Sequence, residues 1–397
     1  MSGRFYDVII VGAGPAGSHA AYVLASSGYS VAVFEEKSAP GLNVCCTGII
    51  STECFHALGL DADVIVGQAR SAKFFSPSGR CLRLEAAGVQ AYIVDRLLLD
   101  KAIASKAQSQ GAQYFFCSPV TDIIPGRDTI QAETGFSETR QVFNARAVVL
   151  ANGFRPKLPR KLGLGRIKNF LVGAQTEIGV KHIDETEIYF GQEIAPGSFA
   201  WLVPTSASRA YVGLLAISQA KLHLQKFLNT LFCQGRSTSQ EVEIRQKVVP
   251  LGTLTRSYGD RILVVGDAAG QVKPTSGGGI YFGHLGAQIA AEVLAEALHS
   301  DNLTANHLSS YQKQWRAKMG QELSRGYWLR WACAKLSDHQ IERVFDVFDS
   351  NGTAEALLNS DNFSFDWHSG LILTGLRHNS AYPLLKIKHL FSREVSS

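Results

Sequence analysis

The chain has 397 residues, 46% of them apolar, with 39 basic against 34 acidic residues and a formal net charge of +5. That length and a mean hydropathy of +0.02 fit a globular protein burying a large core in two domains, and exclude a disordered or fibrous chain. The mild charge, with no basic block, argues against nucleic acid, and seven cysteines without zinc spacing or a disulfide framework predict no metal site and a reducing cytoplasm.

Residues 7–17, DVIIVGAGPAG, read as a buried strand running into Gly12, Gly14 and Gly17 at GxGxxG spacing, then an Ala-rich helix. A second strand, SVAVFE, ends at Glu35. In such a βαβ unit Gly12 takes the tight turn and Gly14 lets the backbone approach a pyrophosphate. Gly17 packs helix on strand, and Glu35 accepts from ribose hydroxyls that carry no 2′-phosphate. FAD and NAD satisfy this fingerprint equally. Because this is already the first apolar run, no signal peptide is expected, and no later run is long enough to span a bilayer.

Residues 72–84 read as a hairpin turning at Pro77, Ser78 and Gly79. Around it Arg70, Lys73 and Arg83 could meet a phosphate or headgroup, or lie on a solvated face. Helical apolar spacing covers 92–113 and stops at Gly111, with Arg96 near its start, either reaching a pyrophosphate or solvated. A strand follows at 113–117, and another at 142–153 ends in Asn152 and Gly153. Strands at 170–180, 186–191, 198–204 and 209–217 are joined by short turns and look antiparallel.

Residues 262–283, ILVVGDAAGQVKPTSGGGIYFG, separate the two dinucleotides. The strand delivers Asp267 to its end, where a carboxylate could accept from polyol hydroxyls. After Pro274, Gly277, Gly278 and Gly279 let backbone approach a flat ligand and open a helix from Ile280 to about 298. Its free amides and positive dipole end favour the negative charge of a reduced flavin. A second contact region so distant from the first suits FAD, with its long polyol linker. A strand, turn and helix without ligand is the alternative for this segment alone. Residues 300–397 read as mainly helical, with Trp315, Tyr327, Trp328, Trp331, Phe345 and Phe348 assigned to helix packing.

The expected fold class is α/β: a Rossmann-like FAD-binding domain (1–70, 90–160 and 258–300), an interleaved antiparallel β-sheet substrate domain (71–89 and 161–257), and a helical C-terminal region (301–397).

VGAGPAG with Glu35, VDRLLLD at 94–100, the strand end ANG, and GDAAG followed by Pro274 and GGGI resemble the para-hydroxybenzoate hydroxylase-like flavoproteins. Within them the chain most resembles the geranylgeranyl reductase family. VCCTGI at 44–49 looks like that family's Cys-Gly-x-Gly/Ala flavin loop, and FAWLVPTSASRAYVG at 199–213 like its YxWxFP…NVG sheet motif. The resemblance spans roughly 5–330. It implies FAD contacts at Ala16, Glu35, Cys45, Cys46, Gly48, Arg96, Val120 (through its backbone), Asp267, Gly279 and Ile280, beside the fingerprint glycines. It sets Cys45 at the family's active-site cysteine beside the isoalloxazine, where a buried small hydrophobe is the alternative role. Three positions depart from the pattern: Cys46 stands for glycine, Phe199 for tyrosine, and Asn152 for the aspartate of a DG pair.

The activity so implied is reduction of isoprenoid carbon-carbon double bonds, with hydride from reduced FAD and a proton from Cys45 or water. Trp201 and Phe199 would be aromatic walls facing developing positive charge, or sheet core. NAD(P)H or a reduced ferredoxin-type electron-transfer protein would recharge the flavin. The substrate would be a hydrophobic isoprenoid or other apolar small molecule, fetched by peripheral membrane contact without an anchor. Two alternatives share the scaffold: a monooxygenase or halogenase acting on a hydrophobic small molecule, and a non-redox FAD protein such as a carotenoid cyclase. The single tryptophan of FAWLVP departs from the WxWxIP segment of halogenases.

Overall fold

The computed structural model describes residues 5–135, 140–238, 242–349 and 364–367. Its first sheet is built on Phe5–Val11, whose FYDVIIV sequence supplies the apolar run of a strand buried on both faces. Val31–Phe34 and Gln141–Leu150 pair with it in parallel on either side. Gln113–Phe115 extends one edge in parallel, and Ile262–Val264 the other. The register aligns Val11 with Phe34 and with Leu150, and Leu150 with Val264. Four strands therefore end in one row, and the segments beginning at Gly12, Glu35, Ala151 and Val265 all leave from the same edge.

The second sheet has seven strands in the order Arg245–Pro250, Phe170–Gly179, Arg209–Ala216, Phe199–Ser206, Thr186–Phe190, Ser71–Phe75 and Cys81–Glu85. Its pairing is antiparallel except at one junction, where Thr186–Phe190 runs parallel to Ser71–Phe75. The expectation of a wholly antiparallel sheet is corrected there: the 71–85 hairpin is joined through a long connection, which permits a parallel partner. A small third sheet, not foreseen, pairs Ile49–Ser51 and Ile65–Ala69 on either side of Ala91–Val94. It corrects the helix expected from 92, because Asp95 accepts from the amides of Leu97 (2.7 Å) and Leu98 (3.0 Å) and so caps a helix covering Arg96–Ser109.

The helix Pro15–Ser26 packs against Ile280–His299, and together with Arg96–Ser109 they cover the first sheet. Beyond them lies the helix Ala305–Cys333, with Tyr311, Trp315 and Met319 fully buried. Tyr311 links it to the 262–271 segment: its hydroxyl donates to Val264 O (2.8 Å) and accepts from Gln271 Nε2 (2.8 Å), while Gln271 Oε1 accepts from Gly266 N (2.8 Å). Helical structure continues in Asp338–Asp349; residues 350–363 and 368–397 of the expected helical region lie outside the described residues. Trp315 and Phe345 are core as expected, but Trp328 and Trp331 are 45% and 49% exposed, which corrects their assignment to helix packing.

Candidate active site

A cleft of about 1330 Å³ opens along the row of strand ends, larger than the roughly 300–1,000 Å³ of a drug-sized pocket. Gly12 turns out of the first strand at φ +104°, and a Cβ there would lie 2.5 Å from the carbonyl oxygen of Ala151. Only glycine fits that turn. At Gly14 a Cβ would meet no protein atom within 4 Å, because the backbone faces open cleft. The free amides of the Pro15 helix point the same way. Glu35 is fixed by two backbone donors, Ala13 N (2.8 Å) and Lys37 N (3.0 Å).

On the opposite wall Asp267 pairs with Lys247 at 2.7 Å. Asp267 holds the Lys247 ammonium above its ordinary pKa, against the effect of burial. Gly279 starts the 280–299 helix so close to Asp267 that a Cβ there would lie 2.7 Å from Oδ1. Arg96 donates to Asp100 from Nε (3.2 Å) and Nη2 (2.8 Å). Burial raises the Asp100 pKa and the Arg96 charge opposes the rise.

The 44–48 loop is tied to the second and third sheets. Val94 N donates to Gly48 O (2.9 Å), Thr47 Oγ1 donates to Gln175 Oε1 (2.9 Å), and the Cys45 thiol donates to Arg245 O (3.6 Å). Burial pushes the Cys45 thiol up to about 11, helped by the neighbouring Cys46. At neutral pH it is protonated.

The cleft thus brings together Gly12, Gly14, Ala16, Glu35, Cys45, Cys46, Arg96, Val120, Asp267, Gly279 and Ile280. Four other expected site residues do not line it. Gly17 is taken up by contact of its helix with Gly12, as expected of a packing glycine, and Gly48 (φ +75°) lies against Val94. Phe199 and Trp201 pack with Leu171, Leu215 and Val249 of the second sheet and with Val272 of the loop that precedes the glycine run. Gly213, directly across the ladder, leaves room for the Trp201 indole, and Trp201 Nε1 is buried without a hydrogen-bond partner among the described residues. Lys73 and Arg83 are not available to a phosphate, since both pair with Glu185 (3.1 and 2.6 Å).

Sequence reasoning missed Lys247, which sits on a strand it did not find, and a polar cluster at the far end of the cleft. There Lys273 Nζ contacts Asp366 Oδ1 at 2.6 Å, both residues being at least 94% buried, and Ser51 Oγ donates to Asp366 Oδ2. Alternation in RQKVV could have revealed the strand; nothing in the sequence joins positions 93 residues apart.

The residues present fit FAD. Two glycine loops, one after Phe5–Val11 and one beyond Ile262–Val264 with Gln141–Leu150 between those parallel strands, open into one continuous cleft, and the cations Arg96 and Lys247 line it. Asn152 Oδ1 is buried in the cleft wall with no partner among the described residues, a free acceptor for a ligand donor.

Comparison with known proteins agrees. Residues 6–194 match the pyridine nucleotide-disulphide oxidoreductase family. The digeranylgeranylglycerophospholipid reductase 2 of Methanothermobacter thermautotrophicus is 34% identical over 351 residues, 85% of this chain and 90% of that protein. The chain belongs to the geranylgeranyl reductase family of FAD-dependent oxidoreductases. A second family member, the digeranylgeranylglycerophospholipid reductase of Methanocaldococcus jannaschii, is 29% identical over 86% of this chain and 90% of its own. Among solved structures, a geranylgeranyl bacteriochlorophyll reductase-like protein from Thermoplasma acidophilum superposes with a TM-score of 0.85 at 22% identity, covering 98% and 99% of the two chains. The flavin-dependent brominase Bmp2 shares the fold less closely, with a TM-score of 0.70 at 17% identity over 96% and 100%. As a member of the reductase family, the chain is an FAD-dependent oxidoreductase with a mixed α/β fold.

Proposed function

We propose that this chain reduces the carbon-carbon double bonds of a geranylgeranyl-type isoprenoid lipid, the class for which its relatives are named. The observation that carries this reading is the 34% identity to a reductase of that class across 85% of the chain, together with a cleft that joins both flavin-type loops. FAD, when bound, supplies the hydride.

The chain's own residues hold and orient. Gly12, Gly14, Ala16 and Glu35 receive the adenosine half, with the Val120 backbone at its side. The Pro15 helix amides, Arg96 and Lys247 neutralise the pyrophosphate. Asp267 accepts from the polyol linker, and Gly279 and Ile280 present amides to the ring. An isolated double bond has no carbonyl to draw off electron density, so a proton must be delivered as well. The Cys45 thiol, protonated at neutral pH, is the donor in this reading, and Cys45 is among the residues lining the cleft. The Thr47–Gln175 and Val94–Gly48 hydrogen bonds fix the loop that carries it, with Cys46 beside it in the cleft. Trp201 and Phe199 belong to the apolar cluster next to the glycine loop through Val272, and form the wall behind the prenyl chain.

NAD(P)H or a small electron-transfer protein of ferredoxin type is the proposed electron source. A cytoplasmic chain meeting its lipid at the membrane surface is the proposed setting. Among the described residues no helix is long and apolar enough to cross a membrane.

The test is anaerobic mixing of reduced holoenzyme with prenyl phosphates, prenyl alcohols, chlorophyllide esters and digeranylgeranylglycerol lipids. Reoxidation of the flavin with saturated product supports the reading. An oxygen adduct in air without lipid turnover would instead favour a monooxygenase or halogenase, and no turnover-linked spectral change a non-redox role.

A further inference from the structure

The modest net charge of the chain conceals a local bias. Arg155, Lys157, Arg160, Lys161, Arg166 and Lys168 fall within fourteen residues that contain no acid, and all six are exposed. Arg155 pairs with Glu36 and Lys161 with Asp122. The other four have no ion pair among the described residues. This segment also rims the cleft, whose lining includes Phe154, Lys157 and Leu158.

The basic segment adjoins an aromatic one. Asn169 Nδ2 donates to the Tyr327 hydroxyl at 2.7 Å, which brings the 155–170 segment against the end of the long helix. Next to Asn169, Phe170 is 45% exposed. On the helix, Tyr327, Trp328 and Trp331 form an edge-to-face series at 5.4 and 6.0 Å, with the Lys335 ammonium 3.4 Å from the Trp331 ring centre. The spacing 324, 328, 331 and 335 keeps one face outward, opposite the buried Tyr311, Trp315, Met319 and Leu323. The helix has five basic residues against a single acid, Glu322; of the five, Lys313, Arg316 and Lys318 are exposed and Arg330 is buried. Exposed indoles flanked by lysine and arginine are the composition of a surface that sits at a membrane-water boundary, with rings at headgroup depth and cations on anionic lipid.

We propose that this surface, the 155–170 segment with Trp328 and Trp331, docks the enzyme on an anionic bilayer. That a lipid substrate is met there rests on the function proposed above; the docking itself rests on charge and exposure alone.

The test is flotation of full-length holoenzyme with vesicles of neutral phosphatidylcholine, and with vesicles containing phosphatidylglycerol, at low and high salt. The wild type should bind only the anionic vesicles, more weakly at high salt, and its tryptophan emission should shift to the blue and be quenched by brominated acyl chains. Trp328→Ser/Trp331→Ser should lose the quenching, with vesicle partition falling roughly tenfold. Arg166→Glu/Lys168→Glu should lower partition roughly thirtyfold. Both variants should keep bound FAD and reoxidation by detergent-dispersed lipid, which also separates failure of docking from failure of the proposed reaction. The proposal is overturned if the wild type ignores anionic vesicles, or if either variant binds them as the wild type does. It is also overturned if the basic surface captures an acidic protein while vesicles leave the indole emission unchanged.

Discussion

Removing the Asp366 carboxylate should strand a cation in the protein interior. Lys273 and Asp366 meet at 2.6 Å with side chains 6% and 3% exposed, and Lys273 also donates to Phe365 O at 3.2 Å. Breaking a buried pair from one side costs about 3–5 kcal/mol, because the remaining charge keeps its desolvation penalty and loses its partner. Asp366→Asn should therefore destabilise by that amount, or detach the 364–367 turn, whichever costs less. Lys273→Met should cost somewhat less, since Asp366 keeps the Ser51 hydroxyl. The double variant Lys273→Met/Asp366→Leu replaces the pair by apolar groups and should return to within about 1 kcal/mol of the wild type. Trp367 retains its ring contacts with Phe282 (5.1 Å) and Tyr281 (6.2 Å) in all three. Lys273 is bonded through its backbone to Gly277 and Gly278, so FAD affinity should fall in the single variants and recover in the double. Urea unfolding gives the global cost, and amide exchange at 365–367 reports local detachment. Additive losses in the double variant, or single variants within about 1 kcal/mol of the wild type without loss of protection at 365–367, would refute the reasoning.

Three further outcomes are expected. Gly14→Ala should weaken FAD binding in a fluorescence titration while leaving apoprotein stability unchanged, because a Cβ there meets only open cleft; Gly12→Ala should reduce both, by about 1–3 kcal/mol of backbone strain. Cys45→Ser should slow lipid-dependent reoxidation of reduced enzyme roughly a hundredfold with FAD affinity unchanged, and an unaltered rate would remove Cys45 as proton donor. The buried rings of His19 and His284 lie 4.0 Å apart between two helices, and burial, with His19 adding to it, pushes His284 down to about 3. Unfolded histidine titrates near 6.5, so the unfolded state binds more protons below that pH. Stability should be full above it and fall toward about pH 3, by up to ~1.4 kcal/mol per pH unit for this residue. Urea midpoints of wild type and His284→Leu at about pH 7 and about pH 5 should diverge; parallel midpoints would discount the histidine pair.

What the sequence revealed and what it hid follow from the range of the interactions. Gly12, Gly14 and Gly279 are legible because close backbone approach leaves no other residue, and Glu35 and Asp267 because they stand directly after apolar strands. The helix at Ile280 announces itself by three glycines. By contrast, Ala91–Val94 looked helical because its apolar residues continue the period of the following helix, and only the Asp95 cap separates them. Lys247 and Asp267 come together through a strand from another sheet, and Lys273 with Asp366 across 93 positions, neither of which local patterning encodes. Trp315 and Trp328 carry the same apolar signal in one helix, yet face opposite sides. The basic segment at 155–168 vanishes in a whole-chain charge balance and becomes significant only beside Tyr327 and the exposed indoles.

The central claim is that this cleft delivers reducing equivalents to a prenyl double bond. It is tested most directly by stopped-flow mixing of anaerobically reduced holoenzyme with a digeranylgeranylglycerol phospholipid, followed by mass spectrometry of the lipid. The account predicts return of the oxidised flavin spectrum at a rate that saturates with lipid, and a product heavier by two hydrogens for each flavin reoxidised. A flavin that stays reduced with every prenyl lipid, yet reoxidises in air with oxygen incorporated into an aromatic or other small molecule, would contradict it.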